Sequence, residues 1–442
     1  MPVGTRFLTY VAASSFLIAC GEKEETTTSS EVQANTDETP ADAPPTGNQT
    51  NPAPYDGPCP TPKMEGLSGD PRMSLITGQA WFEMDGNKPV PCPARMQIWR
   101  PNAAGQWQAA TIEDPDSNVF HKIIPMEDGS LITIGAEKAI LKKWTFADGT
   151  WSQENLWEKS WGGKFDRLRD IEIGDVDHDG KDEWVIATHD QGVVAVYNPD
   201  EGGEAVIEMD QQADIFVHEI EIGDIDGDGK KEFFATPSDR NKSGHSQKGK
   251  IVMYQYDGNK YVRSIVDARE DTHAKEILAY DLDGDGNEEL LGVFEAELGE
   301  NKEILTPVQI RQYELKKNGK FDTTVLAQIN DTMCRFLVAG DLNGDGKVQM
   351  VAAAKKTGVW LLDRQSDGTW LPTNIDTQSS GFEHVAKMAD LDGDGTVELY
   401  IAADDQRTLS RYTWDAIGNS YIKNTLAPLP SGFTWNMEAG KL

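Results

Sequence analysis

Three things are scarce in this chain: cysteine, basic charge and the marks of catalysis. Only Cys59, Cys92 and Cys334 follow residue 20, so the folded part holds at most one disulfide. Cys59 and Cys92 each precede a proline near the start of the folded region and are the expected pair in an exported chain. Cys334 lies in an apolar strand and is expected to be a buried thiol. Forty-one Lys and Arg against 74 Asp and Glu leave a net charge of −33. That balance excludes nucleic acid, or an anionic membrane, as a partner for most of the surface. No apolar run in the folded part spans a bilayer, and helical periodicity is missing, which excludes an α-solenoid. No nucleophile motif, phosphate-binding loop or HExxH stretch is present, so no catalytic dyad is identifiable. What is present, 38% hydrophobic residues with 12 Trp and 14 Phe, describes a folded protein.

The N-terminus stands apart. Arg6 precedes "FLTYVAASSFLIA" (7–19), too short to span a bilayer and patterned as the apolar region of a signal peptide. It ends in "LIAC" (17–20), which resembles the lipobox of bacterial lipoproteins. That resemblance implies removal of residues 1–19 and a lipid on Cys20. Gly21 in place of Asp resembles the outer-membrane sorting pattern, and "KEE" (23–25) resembles a surface-export tether. Residues 20–57 are rich in Thr, Ser, Glu, Pro and Asn and bury too little to order, so a flexible tether is expected. The expected location is the bacterial cell envelope, facing periplasm or surface, with membrane contact only through the lipid.

Five acidic stretches then recur: "GDVDHDGKDEWV" (174–185), "GDIDGDGKKEFF" (223–234), "YDLDGDGNEELL" (280–291), "GDLNGDGKVQMV" (340–351) and "ADLDGDGTVELY" (389–400). Their first aspartates are spaced 49, 57, 60 and 49 residues apart, a period that points to propeller blades. Each period runs as strand, acidic loop, two strands, Gly-containing hairpin and fourth strand, the grammar of a four-stranded antiparallel blade. Gly followed by an aromatic opens the fourth strand at "GQW" (105–107), "GTW" (149–151), "GNKY" (258–261), "GKF" (319–321), "GTW" (368–370) and "GNSY" (418–421). With the plainer "GGEAVI" (202–207) the count is seven. The blade at 119–157 keeps the grammar with a decayed loop, "MEDGS" (126–130), and the blade near 74–112 shows only outer strands. Its inner strand is expected from "SGFTWNMEAGKL" (431–442), closing the ring. The expected fold is all-β: a seven-bladed propeller over residues 58–442.

Within each loop, D-x-[DN]-x-D-G-x-x-[EQ] offers side-chain oxygens at positions 1, 3, 5 and 9 and a backbone carbonyl at 7. Hard oxygen ligands in a flexible loop suit Ca²⁺ rather than Mg²⁺. Gly at position 6 permits the positive φ that folds the loop back. An EF-hand is excluded, because position 12 is Ile186, Ala235, Gly292, Ala352 or Ile401 instead of a bidentate Glu. These loops resemble the FG-GAP/VCBS-type repeats of integrin-like propellers and bacterial surface proteins, over roughly residues 115–430. The resemblance implies a Ca²⁺ loop between the two innermost strands of a blade. Matched by position, the ligands are Asp175, Asp177, Asp179 and Glu183, with the carbonyl of Lys181. The second set is Asp224, Asp226, Asp228 and Glu232, with Lys230. The third is Asp281, Asp283, Asp285 and Glu289, with Asn287. The fourth is Asp341, Asn343, Asp345 and Gln349, with Lys347. The fifth is Asp390, Asp392, Asp394 and Glu398, with Thr396. About five structural Ca²⁺ ions are expected, with no open coordination position for catalysis. The family often has Asp at position 9, where this chain has Glu or Gln.

Six residues before each first aspartate stand Arg169, His218, Lys275, Arg335 and His384, with His121 in the decayed blade and Trp435 in the closing strand. One register at the start of the innermost strand places all seven at the channel mouth, opposite the acidic loops. The stretches "SDRNKSGHSQKG" (238–249), "EAELGENKEILTP" (295–307) and "LWEKSWGGKF" (156–165) fall on the same face. The expectation is a funnel for an anionic ligand, with Trp435 or Trp161 stacking on a sugar and binding that strengthens below about pH 6.5 as histidines gain charge. Two functions follow: a lipid-anchored, calcium-stabilised adhesion or binding module for a protein or glycan, or a lyase-like enzyme acting on acidic polysaccharide.

Overall fold

The computed structural model describes residues 58–162, 166–202, 206–240 and 245–442; the signal-peptide, Cys20 and tether assignments lie outside them. Seven antiparallel sheets of four strands each are present, with no helix among the described residues. The innermost strands, in chain order, are Lys122–Pro125, Leu168–Gly174, Ile215–Gly223, Ala274–Tyr280, Cys334–Gly340, His384–Ala389 and Phe433–Lys441. Each contacts the next around a ring. The last of them heads a sheet whose other strands are Met73–Ala80, Ala94–Pro101 and Trp107–Asp114. C-terminal and N-terminal segments therefore share one blade, and Met73 pairs with Lys441 while Ala80 pairs with Phe433. The propeller unit comprises Pro62–Phe82 and Pro91–Leu442; a second compact unit holds Glu83–Val90, most of a short hairpin, and the described residues up to Thr61. Cys59 and Cys92 are each disulfide-bonded, and Cys334 is a free, fully buried thiol.

Sequence pattern accounts for the radial layering. The second strands read as continuous apolar runs, and Glu183–Thr188, Gln349–Ala354 and Glu398–Ala403 are buried along their whole length. Both faces of such a strand pack against neighbouring blades, so alternation is lost. Leu291, Val293 and Ile310 of one blade meet Leu337, Met350 and Leu362 of the next in one such layer. Each side chain buried there contributes about 1.5–3 kcal/mol. The outer strands, such as Ser420–Pro428, are mostly exposed and polar.

Polar latches join the blades at two radii. On the axis, Asp170 Oδ2 accepts from Ile220 N at 2.6 Å, and Asn436 Oδ1 accepts from Ile123 N at 3.1 Å. Glu276 accepts from the Leu337 amide in the same register. Farther out, an aspartate near the end of an outer strand receives a tyrosine hydroxyl from the following blade. Asp210 takes Tyr254 (2.5 Å), Asp267 takes Tyr313 (2.9 Å) and Asp376 takes Tyr412 (2.6 Å). Asp376 also holds Lys423 Nζ at 2.7 Å.

Asp376→Ala is expected to destabilise the protein by about 2–3 kcal/mol, because a buried hydroxyl and an ammonium lose their shared acceptor. Tyr412→Phe alone is expected to cost about 1 kcal/mol. Urea midpoints of the two single variants and the double variant measure this, and additive effects would contradict a shared latch.

Candidate cation loops and channel mouth

The five acidic stretches form the loops between first and second strands, as the repeat implies. Position-6 glycines adopt positive φ throughout, from 79° at Gly346 to 92° at Gly286. The chain then curls over the first aspartate, whose two oxygens face backbone amides. Gly180 N donates to Asp175 Oδ2 at 3.0 Å, and Gly229 N donates to Asp224 Oδ2 at 2.8 Å. At position 4 four loops carry glycine at positive φ, whereas the first puts His178 there at 65°. Its ring nitrogen Nε2 lies 3.2 Å from the Lys231 carbonyl, a contact that holds this strained residue in place.

The position-9 side chain reaches back to the amide at position 2. Val176 N donates to Glu183 Oε2 (3.2 Å), and Leu282 N donates to Glu289 Oε2 (2.8 Å). Three carboxylates then converge to within 4.8 Å in four loops: Asp175, Asp177 and Glu183; Asp224, Asp226 and Glu232; Asp281, Asp283 and Asp285; and Asp390, Asp392 and Glu398. Glu183 Oε1 and Glu232 Oε2 are buried with no hydrogen-bond partner. Burial, and then the crowding of neighbouring charges, pushes both carboxyls up to about 7. An orphaned carboxylate oxygen among like charges fits a cation, which would fill the missing contact.

The loops are not equivalent. In the fourth, Gln349 Nε2 donates to Asn343 Oδ1 at 3.3 Å, so a neutral amide occupies one of the loop's ligand oxygens. In the fifth, Arg411 Nη1 lies 3.2 Å from Glu398 Oε1 and 3.5 Å from Asp392 Oδ2. A guanidinium from the third strand already serves two of the ligand carboxylates. Nothing in the loop spacing marks Arg411, because it lies 13 residues beyond Glu398.

At the opposite end of the inner strands the mouth residues are brought to one level, but unequally. His121 meets Trp435 edge-on at 4.9 Å, and the Arg169 guanidinium lies 5.3 Å from that indole's centre. Lys275 Nζ is 3.0 and 3.2 Å from the two ring nitrogens of His218 and 3.9 Å from Glu295. Arg335 pairs with Glu383. His384 is held by the Ala354 carbonyl (2.8 Å) and Ser379 Oγ (2.7 Å), which leaves it no ring nitrogen for a ligand. Trp161 packs on Trp157 and places its Nε1 3.3 Å from Glu208 Oε2. Sequence reading missed Arg167, His189, Asp190, His273, Glu295, Lys355 and Glu383, which surround the same mouth. A usable mark existed, since a charged or titratable residue follows the second strand in "THD", "FEAE" and "AAKK". Asp170, next to Arg169 in the chain, pairs instead with Lys122 (2.9 Å), which also meets Glu172. Of the three stretches assigned to this face, residues 241–244 and 163–165 are not among those described; Leu298 N donates to Ser246 Oγ at 2.7 Å, joining two of them.

The expected gain of histidine charge near pH 6.5 is corrected. Burial, foremost, holds His121 and His218 well below the usual imidazole range, and brings His189 and His273 to about 3. His384 is lowered too. These five imidazoles stay neutral in the fold while the unfolded chain protonates, so their contribution to stability falls as pH drops below about 6.5. Glu219, Glu221 and Glu276, raised well above normal by burial, act oppositely: they remain protonated where the unfolded chain ionises, and cost stability as pH rises above about 4.5. Imidazole ¹⁵N shifts of the five buried histidines are expected to keep neutral values from about pH 8 to 5. A midpoint near 6.5 at His218 would contradict their burial.

Residues 341–401 match the FG-GAP-like repeat family, a span from the first aspartate of the fourth loop to position 12 of the fifth. No curated protein matches the chain in sequence. Similar solved structures include a protein from Lactobacillus plantarum (TM-score 0.57, 9% identity, covering 84% of this chain and 99% of that one). Putative 6-phosphogluconolactonases from Bacteroides fragilis (0.52, 14%, 83% and 98%) and Bacteroides uniformis (0.52, 13%, 84% and 100%) are also similar. At such identities the likeness concerns the fold alone. With a repeat-family match over residues 341–401 and the same acidic-loop grammar in five of its seven blades, the chain is a seven-bladed β-propeller that carries FG-GAP-like repeats.

Proposed function

We propose that this propeller is a calcium-stabilised binding or adhesion module of the cell envelope, anchored by a lipid on Cys20. It presents the face opposite its acidic loops to a protein or glycan ligand. The observation that carries the reading is the division of labour between the two ends of the inner strands. One end holds convergent carboxylates with orphaned buried oxygens at Glu183 and Glu232. The other gathers the long insertions and the buried cations of the channel mouth. Five calcium positions reduce on this reading to three strong ones, because Asn343 and Gln349 leave the fourth loop two charges short and Arg411 competes in the fifth. A second reading, a lyase-like enzyme acting on acidic polysaccharide, draws on the Lys275–His218 contact beside Arg169, which offers a proton acceptor near a cation. Unsaturated products released from acidic glycans would favour it, since binding alone leaves none; a glycan array with a pull-down tests the binding module.

Chelation of Ca²⁺ is expected to lower the melting temperature, with Ca²⁺ restoring it and Mg²⁺ restoring it poorly. At limiting Ca²⁺ the first two loops should fill before the fourth and fifth, and Arg411→Gln should raise the affinity of the fifth. An unchanged melting curve in excess chelator would remove the structural-calcium reading.

The mature chain is expected to fractionate with membranes, and Cys20→Ala to be released as soluble protein. Among the described residues no helix is long and apolar enough to cross a membrane. Membrane retention of Cys20→Ala would overturn the lipid anchor.

A further inference from the structure

We propose that the channel mouth binds a small carboxylate, gripped by the Arg169 guanidinium where it lies over the Trp435 indole. The inference rests on the reading of this face as the ligand-binding one and adds the chemical class of what enters it.

Arg169 is only 9% exposed. Its guanidinium lies over an indole face, and among the described residues it makes no hydrogen bond or ion pair. Buried charges are ordinarily paired, and a ring face attracts a cation without accepting its N–H bonds. Its five N–H donors therefore meet no protein acceptor among the described residues. The other cations of the mouth are engaged. Arg167 forks onto both oxygens of Asp190 at 2.7 Å each, Arg335 pairs with Glu383, and Lys275 has His218 and Glu295. Of the carboxyls of the next register, Asp170 takes Lys122 and the Ile220 amide, Glu276 takes the Leu337 amide, and Glu219 is held toward its neutral form by burial. Asp170, Asp190 and Glu276 would each have to give up a contact to reach Arg169, whereas an incoming carboxylate completes it at no such loss.

The planar fork of Arg169 matches a carboxylate bidentately. Lys275, 3% exposed, supplies a second cation nearby, and burial foremost holds its pKa well below the usual lysine value. An anion beside it would restore its charge, so the two groups reinforce one another. Size is limited by the same burial. With Arg169, Lys275 and His218 each at least nine-tenths buried, only the end of a molecule reaches them. A second negative charge would force Glu219 and Glu276 still further from ionisation and has no further unpaired cation to meet, so a singly charged group fits best. The carboxylate could belong to a simple organic acid or to the uronate terminus of a sugar, and the probes below distinguish the two.

Isothermal titration and ligand-observed NMR on the full chain, in detergent with Ca²⁺, would use acetate, D-galacturonate, D-galactose and sulfate as probes. Acetate and galacturonate are expected to bind and galactose not. Binding should weaken with salt, and Arg169→Gln should reduce affinity about tenfold or more. Galacturonate tighter than acetate assigns the site to a uronate; equal affinities assign it to a simple acid, and both support the proposal. No binding of either carboxylate, unchanged affinity in Arg169→Gln, or sulfate binding tighter than both overturns it. Should Arg169→Gln fail to fold, Arg169→Lys keeps the charge and loses the fork. Weaker binding at an unchanged melting temperature then supports the site, and unchanged binding overturns it. If wild type binds no carboxylate and Arg169→Gln only lowers the melting temperature, Arg169 serves to balance Glu219. Array or pull-down partners that persist in Arg169→Gln would leave the binding-module reading standing while this site falls.

Discussion

The structure depends on bringing seven inner strands to one axis. Every register position on those strands is then repeated around a narrow channel, so whatever charge the sequence repeats is concentrated there. Asp170, Glu172, Glu219, Glu221, Glu276 and Glu438 share this space with only a few cations. The chain meets the difficulty in three ways. Backbone amides of the next blade serve as donors to Asp170, Glu276 and Asn436, Lys122 bridges Asp170 and Glu172, and Lys387 pairs with Glu438. Where burial outweighs such partners, at Glu219, Glu221 and Glu276, the carboxyls are pushed toward their neutral forms.

The acidic loops lie at the far end of the same strands, and there the repulsion is left in place. Positions 5 and 6 donate their amides to the first aspartate, and position 2 donates to position 9, so the backbone shapes each cage. No such donor reaches the second oxygens of Glu183 and Glu232. Arg411 shows what happens when a side-chain cation is available: it settles on Glu398 and Asp392. A guanidinium on the third strand and a divalent ion in the loop are two answers to one electrostatic problem.

Much of the architecture was legible because it repeats. The D-x-D-x-D-G stretches and the Gly-aromatic openings each mark a fixed place in a blade, and the blade lacking an inner strand matched the strand left over at residues 431–442. Contacts between blades carry no such mark. Asp376 finds Tyr412 and Lys423 across 36 and 47 residues, and Lys122 and Arg411 occur once each. Register assigns the mouth residues one position along their strands, yet it cannot tell a committed group from a free one. His384 is consumed by Ala354 and Ser379, whereas Arg169 has no acceptor among the described residues. Residue type also says nothing of desolvation, which is why the histidines read as chargeable and are held neutral.

The shared blade has a consequence for how the chain reaches this state. Met73–Ala80 is buried along seven of its eight residues, yet its inner partner is Phe433–Lys441, some 360 residues later. Until that last segment arrives, the first blade is a three-stranded sheet with an apolar edge open to any passing strand. A chain that emerges N-terminus first keeps that edge unpaired for nearly the whole of its synthesis or export. Closure is a single long-range event, of the kind that loop entropy makes slow. The event that covers the last inner edge therefore sets the interval during which this edge stays open, and a chain cut short before Phe433 would never cover it.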